Sequence, residues 1–254
     1  MLKIIQSKLS DIEEREQVRI LYACESGSRA WGFASPDSDY DVRFIYTRRA
    51  SDYLSIVERK DIIELPVNEV LDIGGWDIRK ALQLFLKSNA SLYEWLQSPI
   101  VYSEDSGLKD EMLSLAATYF SNRAGCHHYL SMAANTLEYE LQGSVVKMKK
   151  YFYALRPALA CLWVVEKKTM PPMQFRALRT LVEDARWHSA VDDLLIRKQA
   201  ADEKTVIPPI PLLHEWLQAT LAYCRQQSAD MPRLKNDTNT LDNLFRKYIH
   251  PYDV

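Results

Sequence analysis

Two carboxylates set two residues apart, Asp39 and Asp41, stand immediately before the apolar-rich run Val42-Arg43-Phe44-Ile45-Tyr46. An earlier apolar run ends in the turn Gly27-Ser28. Residues two apart in an extended strand project to the same side, so two like charges are brought together at the mouth of a strand. Left uncompensated, such charges repel, and burying them is costly. A divalent cation removes that cost, and a nearby Gly-Ser turn can hold phosphates that the cation also contacts. Either fragment alone reads as a loop or a solvated turn. Together, with an apolar strand on each side, they ask for a strand, a glycine-serine turn, a second strand and a site between them.

The rest of the chain supplies a scaffold for that unit. Residues 2–17 read as a polar helix with Leu2, Ile5, Leu9 and Ile12 near a helical period, followed by a strand over 18–24. Ser28 is placed to cap a short helix from Arg29, and Ser35-Pro36-Asp37-Ser38 is a turn by composition. Strand character returns over 41–47, 62–65 and 70–73, with Gly74-Gly75 read as the break after the last of these. A helix is expected over 77–88, with Asp77 at its start, and another over 91–97 capped by Asn89. Beyond Ser106 the pattern is helical to near the end, over 108–141 with an interruption near Gly125, 144–166 with Pro157 inside, 172–200, 211–228 and 240–248. The expected fold is α+β: a mixed sheet with flanking helices over residues 1–105, then a mainly helical domain over 106–254.

Composition narrows the class. The 254 residues carry 47% hydrophobic and 26% charged side chains, as ordinary globular proteins do. No apolar run approaches the roughly 18 residues of a membrane span, and the N-terminus lacks a signal-peptide core, so cytoplasmic residence without membrane association is the expectation. Cys24, Cys126, Cys161 and Cys224 form no CxxC pair and read as buried thiols. Cys126-His127-His128 lacks the spacing of a metal site. A net charge of -2 argues against an extended duplex-binding surface, while allowing a local basic site for one nucleotide or a short single-stranded end.

The Gly27-Ser28 turn followed by Asp39-Tyr40-Asp41 resembles the DNA polymerase beta superfamily of nucleotidyltransferases. Residues 27–46 and 75–102 look more narrowly like a bacterial group of that superfamily that includes RNA-repair-associated proteins. Lys149 to Arg156 and Pro171-Pro172-Met173 extend the likeness. The resemblance implies transfer of a nucleoside monophosphate from a nucleoside triphosphate to an acceptor hydroxyl, with release of pyrophosphate. Asp39 and Asp41 would hold magnesium, with manganese as the alternative, and Gly27 and Ser28 would contact phosphate. Arg29 or Arg43 would neutralise phosphate charge. The superfamily usually adds a third carboxylate. Asp72, on an alternating strand, is preferred as metal ligand or acceptor-activating base, and Asp77 is read as a helix cap.

A second constellation lies in the helical half. Lys149, Tyr153 and Arg156 are spaced by four and three residues, so one helical face can present them together. Facing the sheet, Lys149 and Arg156 would compensate triphosphate charge while Tyr153 stacks on a base or donates a hydrogen bond. The competing reading is a solvated basic stripe. The acceptor is expected to be an RNA end, with protein nucleotidylylation as the alternative. A non-catalytic nucleotide sensor is the reading from a different class, and turnover separates it from a transferase.

Overall fold

The computed structural model describes residues 1–67, 70–104, 106–200 and 204–249. In chain order the first elements are α1 (Leu2–Glu16), β1 (Arg19–Ser26), α2 (Gly27–Trp31), β2 (Tyr40–Thr47), α3 (Ala50–Tyr53) and β3 (Ile62–Glu64). They are followed by β4 (Leu71–Asp77), α4 (Ile78–Leu86), α5 (Ala90–Leu96), β5 (Val101–Ser103), α6 (Leu108–Tyr119) and α7 (Asn122–Glu140). The remainder is β6 (Val146–Lys147), α8 (Met148–Lys167), α9 (Phe175–Leu178), α10 (Ala185–Ala200), β7 (Val206–Ile207), α11 (Pro211–Ser228) and α12 (Asn239–Ile249). Among the described residues no helix is long and apolar enough to cross a membrane.

The chain divides into two compact units. One unit comprises Met1–Gly27, Asp39–Tyr119 and the chain from Lys235 onward; the other comprises Ser28–Ser38 and Phe120–Leu234. Side-chain anchors hold the separate segments of each unit together. In the first unit, Lys247 Nζ lies 2.6 Å from Glu111 Oε1 of α6, and Tyr248 Oη donates to the same oxygen at 2.7 Å, tying α12 back to α6. In the second, Phe33 stacks on Phe152 with ring centroids 5.0 Å apart and meets Phe175 edge-on at 5.5 Å, so Ser28–Ser38 packs with α8 and α9.

The first unit is built on a five-stranded mixed sheet of order β3-β4-β2-β1-β5. The β2–β4 pair is parallel, and the others are antiparallel. One face carries Ala23, Val42, Phe44, Tyr46 and Ile73, in one core with Ile5, Leu9 and Ile12 of α1. The helical period of α1 and the alternation of β2 thus meet in one apolar layer, while Leu2 stays exposed. Strand β4 runs through Gly74-Gly75 instead of ending there. The reason is packing: a Cβ on Gly75 would lie 2.2 Å from Phe44 Cε2, whereas one on Gly74 would meet nothing closer than 3.7 Å. Gly75→Ala should therefore cost about 1–3 kcal/mol of stability by overpacking, and Gly74→Ala much less. Urea unfolding of the two variants checks this, and equal losses would contradict it.

In the second unit α7 and α8 pack along each other and against α11. The expected interruption falls at Phe120-Ser121, where Ser121 caps α7 by accepting from Ala124 N; Gly125 lies inside α7 against the Phe120 ring. Pro157 lies inside α8 without ending it. The expected 172–200 helix is broken into α9, a 3-10 turn at Arg179–Leu181 and α10. A two-stranded ladder, β6 with β7, appears where no strand was expected, closed by Val146 opposite Ile207. All four cysteines are buried free thiols, and Cys126 Sγ lies 3.0 Å from Cys161 Sγ.

Candidate active site

The register of the sheet assembles the acidic residues. Asp41 on β2 stands opposite Ser26 of β1 on one side and Asp72 of β4 on the other. Directly opposed residues share a face, so Asp41, Arg43 and Asp72 lie on the side away from Val42, Phe44 and Tyr46. Deeper along that face, Trp95 of α5 stacks on Trp76 at 3.8 Å and its carbonyl accepts from Tyr22 Oη at 2.6 Å. Nearer the start of β2 that cover ends, and Asp41, Arg43 and Asp72 are only partly buried.

Arg43 connects the two acids. Its Nη2 lies 2.6 Å from Asp72 Oδ2 and 3.8 Å from Asp41 Oδ1, and its Nη1 donates to the carbonyls of Val42 and Asp72 at 3.0 and 3.1 Å. The guanidinium offsets the repulsion between carboxylates that strand pairing forces together. Asp39, one residue before β2, is exposed at the end of the turn. Asp77 has a different task. It caps α4 by accepting from Arg79 N at 2.8 Å and accepts from Tyr53 Oη at 2.8 Å, while burial pushes its pKa up. It lies at the opposite end of β4 from Asp72, about 16 Å along an extended strand.

Gly27 is required for a reason the sequence did not give. Its φ is +63°, and a Cβ there would lie 2.1 Å from Asp41 Oδ2. The Asp41 carboxylate occupies the space that any side chain at position 27 would need. Glu25 is the residue that pattern reading missed. It is buried in β1, its Oε1 accepts from Asp41 N at 2.9 Å, and its Oε2 accepts from Tyr102 Oη. Ser98 Oγ donates to the Glu25 carbonyl at 2.6 Å. Glu25 thereby fixes the backbone on which Asp41 stands. The available signal was an acid at the end of an otherwise apolar strand.

A divalent metal can be judged against these groups. Carboxylate oxygens are the donors magnesium prefers, and Asp41 and Asp72 already hold a cationic group between them. Among the described residues no group of three His, Cys, Asp or Glu side chains is arranged to hold an ion. Arg43 lies between two of the acids. The donor chemistry fits a metal, with Asp39 from the turn, Asp41 from β2 and Asp72 from β4 as candidate ligands.

The other sequence-selected residues belong to the second unit, so the division between units falls inside the Gly27-Ser28 turn. Ser28 is buried, and its carbonyl accepts from Gly32 N and Phe33 N. Arg29 Nη2 donates to the Ser38 carbonyl at 2.6 Å, closing the loop that Ser35 and Ser38 tighten through their hydroxyls. Lys149 and Tyr153 are partly buried on α8. Arg156 is buried: its Nε and Nη2 both donate to the Met173 carbonyl, and its guanidinium lies 4.4 Å from the Trp31 ring centroid. These bonds give Arg156 a packing role within its unit, which the helical spacing did not reveal.

A mixed sheet that sets carboxylates from adjacent strands beside a glycine turn defines the class of polymerase-beta-like nucleotidyltransferases. Residues 1–247 match the model of the RNA repair pathway DNA polymerase beta family (RlaP), and the chain belongs to that family. The uncharacterized protein YcgL of Bacillus subtilis (strain 168) is 42% identical over 246 residues, 96% of this chain and 95% of that protein. The crystal structure of a nucleotidyltransferase-like protein from Exiguobacterium sibiricum aligns over 88% of this chain and 74% of its own, with 12% identity and a TM-score of 0.28.

Proposed function

We propose that this protein is a cytoplasmic, divalent-metal-dependent nucleotidyltransferase that joins a nucleoside monophosphate from a nucleoside triphosphate to a hydroxyl at an RNA end. The observation that carries the reading is the Asp41–Asp72 register pair with a cation between its members. Asp39, Asp41 and Asp72 would hold magnesium or manganese. When bound, the metal lowers the pKa of the acceptor hydroxyl and stabilises charge on the transferring phosphate. Asp72 serves as proton acceptor or ligand. The acceptor oxygen forms a bond to the α-phosphorus as the bond to the β-phosphate oxygen breaks, and pyrophosphate leaves. Glu25 keeps Asp41 in register during that exchange, and Arg43, released from the acids, is near enough to meet phosphate charge. The Ser28 amide and hydroxyl, with Arg29, are the proposed phosphate contacts of the turn.

RNA is preferred as acceptor because the family is described by an RNA repair pathway. The test supplies each of the four labelled nucleoside triphosphates, with magnesium, to the protein mixed with total cellular RNA or total protein. Label in RNA with stoichiometric pyrophosphate supports the proposal. Label confined to protein would replace RNA by a protein acceptor, and binding without turnover would leave a nucleotide sensor. The same assay on Lys149→Ala and Arg156→Ala tests whether α8 contacts nucleotide: an unchanged KM for the triphosphate in both removes the helix from the site.

A further inference from the structure

At the other end of the sheet, where β2 and β4 finish, the first unit carries a groove of about 470 Å³. That volume is in the range of small-ligand sites. Its walls are strongly charged, and most of the acids are already committed. Asp52 pairs with Arg59 at 2.9 Å and Asp61 with Lys80 at 2.9 Å. Asp77 is held by the Arg79 amide and the Tyr53 hydroxyl. Three further cations of the lining, Arg48, Lys60 and Arg79, have no carboxylate at ion-pair distance among the described residues, although Arg48 and Arg79 both act electrostatically on Asp77.

Two of these cations are preorganised. Arg48 is only 8% exposed, and its Nη1 donates to the Glu16 carbonyl at 3.2 Å, yet its Nε is buried without a hydrogen-bond partner. That N–H is enclosed by protein, so contact with a groove ligand falls to the other N–H groups of the guanidinium. The Arg79 guanidinium lies 5.0 Å from the Tyr53 ring centroid and 5.2 Å from that of Phe245, which restricts it against two aromatic faces. A guanidinium held in this way loses little entropy when it binds, and its fork geometry matches phosphate oxygens.

We propose that this groove is an anion site for a phosphate group, built by Arg48, Lys60 and Arg79 and separate from the carboxylates at Asp41 and Asp72. The lining sets five cations, Arg48, Arg59, Lys60, Arg79 and Lys80, against four acids, Asp52, Glu58, Asp61 and Asp77, and that excess of positive charge suits an anion. The phosphate comes either from a free small molecule or from the backbone of an oligonucleotide. The site stands about 16 Å along the strands from the acids, so it does not depend on the catalytic reading.

Binding of inorganic phosphate and of a 5′-phosphorylated tetranucleotide to full-length Asp41→Asn protein, in magnesium-free buffer, tests this by calorimetry. Saturable binding of at least one probe is expected, weakened about tenfold or more when Lys60→Gln or Arg79→Gln is added. Lys60 is exposed and its replacement leaves the fold intact, so that variant stays informative if Arg79→Gln unfolds. Lys60-dependent binding that is tighter for the tetranucleotide assigns the site to a strand, and equal affinity assigns it to small phosphates. Absence of saturable binding by both probes, or binding indifferent to Lys60→Gln, overturns the proposal.

Discussion

Asp41→Asn is expected to reduce nucleotidyl transfer by about 10³-fold or more, which is about 4 kcal/mol of lost transition-state stabilisation, while leaving the fold intact. The replacement keeps the shape of the side chain and removes the charge. Its backbone amide still bonds Glu25, and Arg43 still has Asp72 at 2.6 Å. Removing one of two like charges relieves repulsion, so the unfolding free energy should stay within about 1 kcal/mol of the parent. Asp72→Asn should behave in the same way. Asp77→Ala should do the reverse, costing roughly 1 kcal/mol of stability through the lost α4 cap with little loss of transfer rate. Single-turnover label transfer combined with urea unfolding separates the two patterns. A dead Asp77→Ala beside an active Asp72→Asn would move the third carboxylate to the far end of β4.

Gly27→Ala should be nearly as damaging to activity and much more damaging to the fold. Two costs combine. A non-glycine residue at a φ of +63° loses roughly 1–2 kcal/mol in backbone energy, and its Cβ would collide with Asp41 Oδ2. Relief requires the carboxylate to swing away, and a displacement near 1 Å at a reacting centre is worth about 10²-fold in rate. Gly32 provides the control. Its φ is +90°, but a Cβ there meets nothing within 4 Å, so Gly32→Ala carries the backbone cost alone. The difference between the two variants, in melting temperature and in transfer rate, measures the clash with Asp41. If both variants fall equally in rate, the close approach of Gly27 to Asp41 has no catalytic consequence.

Local pattern carried most of the sheet. The period of α1, the alternation of β2, the Asp77 and Asn89 caps and the limits of α11 are set by neighbours in sequence, and each stands close to where the sequence places it. What escaped depends on partners distant in the chain. Gly74-Gly75 looks like a strand break until Phe44 is seen to need the space. Strand β5 is short, and it exists because β1 offers it an edge. Glu25 looks like an ordinary charged residue until Tyr102 and Asp41 arrive from other strands. Arg156 matches a helical face with Lys149 and Tyr153, but the Met173 carbonyl and the Trp31 ring claim it. Spacing gives the side of a helix and cannot give what stands opposite.

The assignment of Ser28–Ser38 to the helical unit has a consequence for how such a protein can be cut and inherited. The chain passes between units at Gly27/Ser28, Ser38/Asp39, Tyr119/Phe120 and Leu234/Lys235. No contiguous gene segment encodes the sheet unit alone. A fragment ending near residue 105 would leave Trp31 and Phe33 without the aromatic partners they have on α8 and α9, and would lose both α6 and α12, which Glu111 and Lys247 join. Recombination that exchanged the helical portion for another would likewise tear the motif between its glycine and its serine. The two units are bound to descend together.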